Sequence, residues 1–320
     1  VEGNAPAEFG TEALIRGAGG VLIVSDDMRP RHQVLPGDYL ERPSLPIFRI
    51  TAEAADAILQ DEGLTVSSIR EREVGTAGDG NGWHAEELEA RVRMQVRLAP
   101  PREVRGYNVL GLIRGSDASL DGELVVVSCH HDGLGRAPDG TIYPGANGNG
   151  SGTAVMLEVI RLWHEQGFQP RRSVLLAAWS GGQLPYSGAH VFRDESTFFG
   201  QHEVSSVIHL DRLGGDRGAE LVVRKTGGRD ALYDLLRDCA GEVGVSVRDG
   251  LSFYHPYQGF ISGDRGDRLV ARDGSLVVTW GGPGPALAAD TLDRIDGGHL
   301  RKSAEAINLM LIQAAHEPRY

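Results

Sequence analysis

Cysteine is scarce: the 320 residues contain two, Cys129 and Cys239. Two thiols cannot build the disulfide framework of a small secreted domain, and both lie in apolar periodic segments, the setting of buried free thiols. Long apolar runs are missing too, so no stretch reaches the roughly 20 residues that a membrane-spanning helix needs. Basic charge is in the minority. Lys and Arg number 32 against 44 Asp and Glu, a formal net charge of −12, and no basic stripe is visible. That balance argues against nucleic acid or anionic lipid as the main partner, because phosphate recognition depends on clustered Lys and Arg. The first residues show no signal-peptide pattern, and the loop-like start Val-Glu-Gly-Asn-Ala-Pro is expected of a processed or trimmed terminus. What is present is an ordinary globular composition, 41% apolar and 24% charged. It suffices for a real core and, at this length, for two domains.

Periodicity along the chain supports that division. A short helix is expected over Thr11 to Arg16, a buried strand over Val21 to Val24, and a Pro- and Gly-rich loop over Asp26 to Arg42. A second strand follows at Leu45 to Ile50, then a helix capped by Thr51 and running to about Gln60. Gly75 to Gly82 reads as a linker. Beyond it, Arg91 to Leu98 alternates like a half-exposed strand, and Tyr107 to Ile113 returns as another. Strands and helices then alternate. Strands are expected at Leu124 to Val127, Ser173 to Trp179, Val204 to Leu210 and Leu276 to Trp280. Helices are expected at Gly152 to Trp163, Asp230 to Val243 and Leu300 to Ala314. Such alternation implies an α/β layer fold with a largely parallel sheet. The expected domains are 1–82 and 86–320.

In open α/β sheets, ligands bind beyond the carboxyl ends of the strands. Past the first buried strand of the larger domain come Ser128, Cys129, His130, His131 and Asp132. His130 and Asp132 are two apart, so on a strand they share a face, and a carboxylate that steers a His ring is a common metal-ligand arrangement. The loop Pro144-Gly-Ala-Asn-Gly-Asn-Gly-Ser-Gly152 precedes a helix; its glycines permit tight turns, but no Lys follows, which disfavours nucleotide binding. Past the next strand, Ser180-Gly-Gly-Gln183 contains nothing acidic. His209 and Asp211 share a face at the end of the following strand, and Ala286-Leu-Ala-Ala-Asp-Thr291 lies before the last helix.

This order of segments resembles the co-catalytic zinc exopeptidases of metallopeptidase family twenty-eight, such as aminopeptidase Y, bacterial leucyl aminopeptidases and glutamate carboxypeptidase. The resemblance spans nearly the whole chain. It implies a three-layer fold with a mainly parallel mixed sheet, plus a smaller N-terminal α+β domain like the protease-associated domain. It also implies a site for two zinc ions. Carried over residue by residue, His130 matches the His ligand and Asp132 its carboxylate partner. Asp211 matches the ligand of the family's Asn-Leu-Asp, with His209 in place of the Asn. The metal-bridging Asp falls on Gly148, the general base on Gly182, a Glu ligand on Gln183 and the last His ligand on Ala286. His130 and Asp211 remain of six positions. A Gly can neither bridge two cations nor accept a proton from metal-bound water, and Gln is a poor zinc ligand. Tyr254, His255 and Tyr257, with His131, match the region bordering the family's substrate pocket, and Asp264 falls near its Ser-Asp pair.

Three functional readings follow. The resemblance extends to the transferrin receptor ectodomain and nicastrin, which lack the zinc chemistry; by that likeness the chain is a non-catalytic binding or scaffold protein for a protein or peptide-like ligand, with no cofactor. The alternative is a hydrolase of peptide-like or amide substrates with a single zinc held by His130, His209 and Asp211, assisted by His131 or Asp132. The third is metal-free catalysis by Cys129 or a serine, although Cys129 should face the core, opposite His130. Family members are commonly exported and use the protease-associated domain for contacts, so an oligomer fits the resemblance.

Overall fold

The structure, a computed structural model, describes residues 17–25, 46–75, 87–95, 105–137, 140–182, 187–195, 197–216, 218–226, 231–250, 271–281 and 288–317. They fall in two compact units, one within residues 17–95 and one from residue 105 onward.

In the first unit, strands β1 (Val21–Val24) and β2 (Ile47–Ile50) pair in parallel, Val21 opposite Ile47. Helix α1 (Ala52–Leu59) starts as expected at Thr51, whose hydroxyl accepts the Ala54 N–H at 3.2 Å. Its Ala55 and Leu59 close a small core with Leu64 and Val66, against Val24 and Ile50. Helix α2 (Val66–Gly75) was not anticipated; its hydrophobic periodicity is weak, and the Asp56 carboxylate accepts its first N–H at 2.6 Å. Of the strand expected over Arg91 to Leu98, the described residues 91–95 take no regular structure, and the rest lies outside the described residues. Alternation alone cannot make a strand without a partner edge. The expected helix at Thr11 to Arg16 and the loop at Asp26 to Arg42 lie outside the described residues.

The second unit is built on a seven-stranded sheet of β3 (Val109–Ile113), β4 (Glu123–His130), β7 (Ser173–Trp179), β8 (Glu203–Leu210), β9 (Glu220–Thr226), β10 (Ser246–Asp249) and β11 (Gly274–Trp280), in the order β10-β9-β11-β8-β4-β7-β3. A short hairpin of β5 (Gly135–Arg136) and β6 (Ile142–Tyr143) stands apart from it. The pairs β4–β7, β4–β8, β8–β11 and β9–β10 are parallel; β3–β7 and β9–β11 are antiparallel. This is the mainly parallel mixed sheet expected.

Period-two alternation sorts the β4 side chains between two cores. Val125, Val127 and Cys129 pack with Val155, Met156, Val159 and Trp163 of α3 (Ser151–Gln166), and with α5 (Ala231–Glu242) and α6 (Gly297–His316). Leu124 and Val126 face the other side with Trp179, Phe199 and Val277, under α4 (Ser187–Glu195). Helices on both faces make the fold three-layered. Each fully buried Leu, Ile or Val here contributes about 2 kcal/mol of hydrophobic stabilisation. Helix α6 begins at Asp296, which caps the His299 N–H at 2.9 Å. Its far end is pinned by Arg172, a fully buried guanidinium paired with Glu123 at 2.6 Å and donating to the Ala314 and Glu317 carbonyls. The strands β9 and β10 and the helix α4 were not anticipated. Among the described residues, no helix is long and apolar enough to cross a membrane.

Candidate functional site

The site lies past the adjacent parallel strands β4 and β8. Ser128 stands in register with His209, so two residues on, His130 comes beside Asp211. His130 Nε2 is 3.5 Å from Asp211 Oδ1, and both residues are buried. On the ring's other side, Nδ1 is 2.9 Å from the Asp132 backbone oxygen and 3.5 Å from its carboxylate. A carbonyl only accepts, so Nδ1 carries a proton. Burial opposes a charge on this ring, but Asp132 and Asp211 outweigh it and push the pKa up to about 9. The Asp132 carboxylate also accepts the Gly182 N–H at 2.8 Å. Burial opposes its ionisation, yet His130 and that amide hold Asp132 below the usual carboxylate range.

His209 does not join this pair through its Nδ1. It is fully buried beneath the strand ends, with Nδ1 3.0 Å from the Ser128 hydroxyl. His131 lies at the surface, Nε2 2.9 Å from the Tyr107 carbonyl. Cys129 points into the opposite core, as its place on the strand requires, with Sγ 3.5 Å from the Thr153 hydroxyl. Burial pushes its thiol up to about 11, so the nucleophilic thiolate is scarce at neutral pH.

The glycine loop before α3 is held on every side. Asp290 accepts the Asn147 and Gly148 N–H groups at 2.8 and 3.0 Å. Asn147 Oδ1 accepts the Gly214 N–H at 2.9 Å. Asn149 donates to the Leu210 carbonyl at 2.8 Å and accepts the Gly152 and Arg212 N–H groups at 3.1 and 3.0 Å. At Gly182, a Cβ would lie 2.5 Å from His130 Cβ and 2.6 Å from its Nδ1. A longer side chain at 182 would therefore need the imidazole to move. Gln183, Tyr254, His255, Tyr257, Asp264 and Ala286 lie outside the described residues.

Residues 108–265 match the model of Peptidase family M28. The chain is related to peptidase family M28. The chicken protein named "BOS complex subunit NCLN" is 32% identical over 238 residues, 67% of this chain and 41% of that one. A Leptosphaeria maculans protein named "Probable zinc metalloprotease" is 31% identical over 153 residues, 44% of this chain and 33% of its own. The chain thus spans a third to two fifths of the length of these curated relatives. Among solved structures, the aminopeptidase of Aneurinibacillus sp. strain AM-1 superposes with a TM-score of 0.63 at 17% identity, covering 98% of this chain and 68% of that one. At that identity the likeness speaks for the fold alone.

Two zinc ions, as M28 exopeptidases hold, do not fit the described residues. Among them there is no group of three or more His, Cys, Asp or Glu placed to hold a metal ion. His130 and Asp211 approach each other, while Gly148 and Gly182 offer no donor atom beyond their backbone. Sequence reasoning passed over two residues that shape this place in the M28 fold, Asp290 as the latch of the glycine loop and Arg212. The signal for Arg212 was available: a basic residue directly after Asp211, in a chain with Gly148 at the position expected to match the family's bridging carboxylate.

Proposed function

We propose that this M28 relative is a non-peptidase binding or scaffold protein that offers the exopeptidase fold to a protein or peptide-like ligand. One observation carries the reading. The position matching the family's base is Gly182, and the His130 ring stands where a side chain there would begin. At that position a proton acceptor is absent, and so is the room for one, which removes the family's route to the water activation that metal-assisted hydrolysis needs. The likeness to a protein named as a complex subunit supports a protein partner. The first unit is read as the protease-associated-like part, a second surface for such contacts. In an open α/β sheet the region beyond the strand ends is the natural seat for a ligand.

The test is turnover. Purified protein, with and without added zinc, is given aminoacyl p-nitroanilides and short peptide amides. The expected rate equals that of buffer containing zinc. Hydrolysis that disappears in both the His130→Ala and Asp211→Ala variants would overturn the reading.

A further inference from the structure

The place that matches the family's bridging carboxylate faces a cation that belongs to the chain itself. A Cβ on Gly148 would lie 2.8 Å from Arg212 Cζ and 2.9 Å from each of its terminal nitrogens. The guanidinium therefore occupies the volume that a side chain at 148 would enter. It is mostly buried, 14% exposed, with Nε 3.8 Å from Asp211 Oδ2. Its backbone is held in a conformation that Arg disfavours, φ 54°. The Arg212 N–H donates to Asn149 Oδ1 at 3.0 Å, and its carbonyl accepts the Trp280 N–H at 3.1 Å. The glycine loop and the end of β11 thus clamp Arg212 from both sides, over its own preference.

Electrostatics gives the clamp a purpose. Asp211 is 5% exposed, and a buried carboxylate needs a nearby positive charge. In the two-metal site that this place resembles, divalent cations supply that charge. Here the His130 ring stands 3.5 Å from one Asp211 oxygen and the Arg212 guanidinium 3.8 Å from the other, and that guanidinium faces Gly148, where a carboxylate would be needed to hold such cations. We propose that Arg212 is a built-in replacement for the metal: its fixed charge offsets Asp211, and its bulk and charge exclude a divalent cation. Loss of the bridging carboxylate and presence of Arg212 are then complementary, because a carboxylate at 148 would pair with Arg212 before any metal could. The inference does not rest on the scaffold reading, since a metal-free enzyme would carry the same replacement.

The experiment uses the full chain and four variants, with zinc affinity from calorimetric titration and melting temperature with EDTA or zinc. Arg212→Gln keeps most of the volume and removes the charge; Arg212→Lys keeps the charge. The expected results are a lower melting temperature for Arg212→Gln, a smaller loss for Arg212→Lys, and no response of the unaltered chain to EDTA. Gly148→Asp alone should leave zinc binding weak, with His130, Asp211 and the new carboxylate facing a guanidinium. Gly148→Asp combined with Arg212→Gln should bind zinc at least about tenfold more tightly and be stabilised by it. Equal zinc affinity in the single and double variants would overturn the proposal. So would a full equivalent of zinc on the unaltered chain, or an Arg212→Gln protein as stable as the original. Should Arg212→Gln fail to fold, a folded Arg212→Lys that still refuses zinc supports the proposal, and one that takes up zinc overturns it.

Discussion

His130 Nε2 and Asp211 Oδ1 are 3.5 Å apart at the ends of neighbouring strands, with Asp132 holding the opposite ring nitrogen. The ring is pushed up to a pKa of about 9, so it is an imidazolium at neutral pH. The sign follows from linkage. A folded pKa above the unfolded His value of about 6.5 means that the charged ring stabilises the fold fully below about pH 6.5, and that this contribution fades as pH rises through about 9. Urea unfolding at pH 7, 8 and 9.5 should show stability falling over that window. The loss should be absent in His130→Ala. An NMR titration that places the His130 midpoint near 6.5 would contradict this account.

Gly182→Glu is the simplest attempt to restore a general base. Its Cβ would press on His130 Cβ, which is near the backbone and cannot swing away. The expected outcome is a stability loss of about 1–3 kcal/mol from overpacking, with no peptidase activity. Gly182→Glu combined with His130→Gly should recover part of that stability, because the obstructing ring is gone. Thermal melts of the single and double variants decide it.

His209 separates a structural role from a metal-binding one. Its ring is fully buried with Nδ1 on the Ser128 hydroxyl. Truncation to Ala leaves a cavity and takes away that hydroxyl's imidazole partner, at a cost of about 2–4 kcal/mol. Zinc content should be the same before and after. A drop in bound zinc on His209→Ala would instead mark it as a ligand.

Cys129 should resist alkylation. Its thiol is pushed up to about 11 by burial and faces the core. Iodoacetamide at pH 7.5 should label it only after unfolding, read by mass spectrometry of the Cys129 peptide. Rapid labelling of the folded protein would reopen metal-free nucleophilic catalysis.

How much was legible in advance varied with the kind of signal. The continuous apolar runs of β4, β7, β8 and β11 and the helical stripe of α6 announced a layered α/β fold, because burial on both faces leaves a strand little room for polar residues. Thr51 announced the start of α1, since a hydroxyl before an apolar period satisfies an orphan amide. Strand Glu220–Thr226 carries Arg224 and Lys225 at its end, and Ser246–Asp249 is short and half exposed, so neither stood out from a loop. The segment after Arg91 looked like a strand by alternation, yet pairing is a property of two segments, and the second is not set by local pattern.

By itself, then, the sequence determined the layered fold and the strand ends that carry His130 and Asp211, because these depend on residue type and on periods of two and 3.6; the losses at Gly148 and Gly182 are what the resemblance to the zinc exopeptidases implies. Only the tertiary structure decided what filled those losses. The parallel register of β4 and β8 brings His130 to Asp211 and leaves His209 against Ser128. The left-handed turn at Arg212, clamped by Asn149 and Trp280, delivers a guanidinium to Gly148 from 64 positions along the chain. Such encounters are set by how elements pack around a common core, which no local pattern encodes.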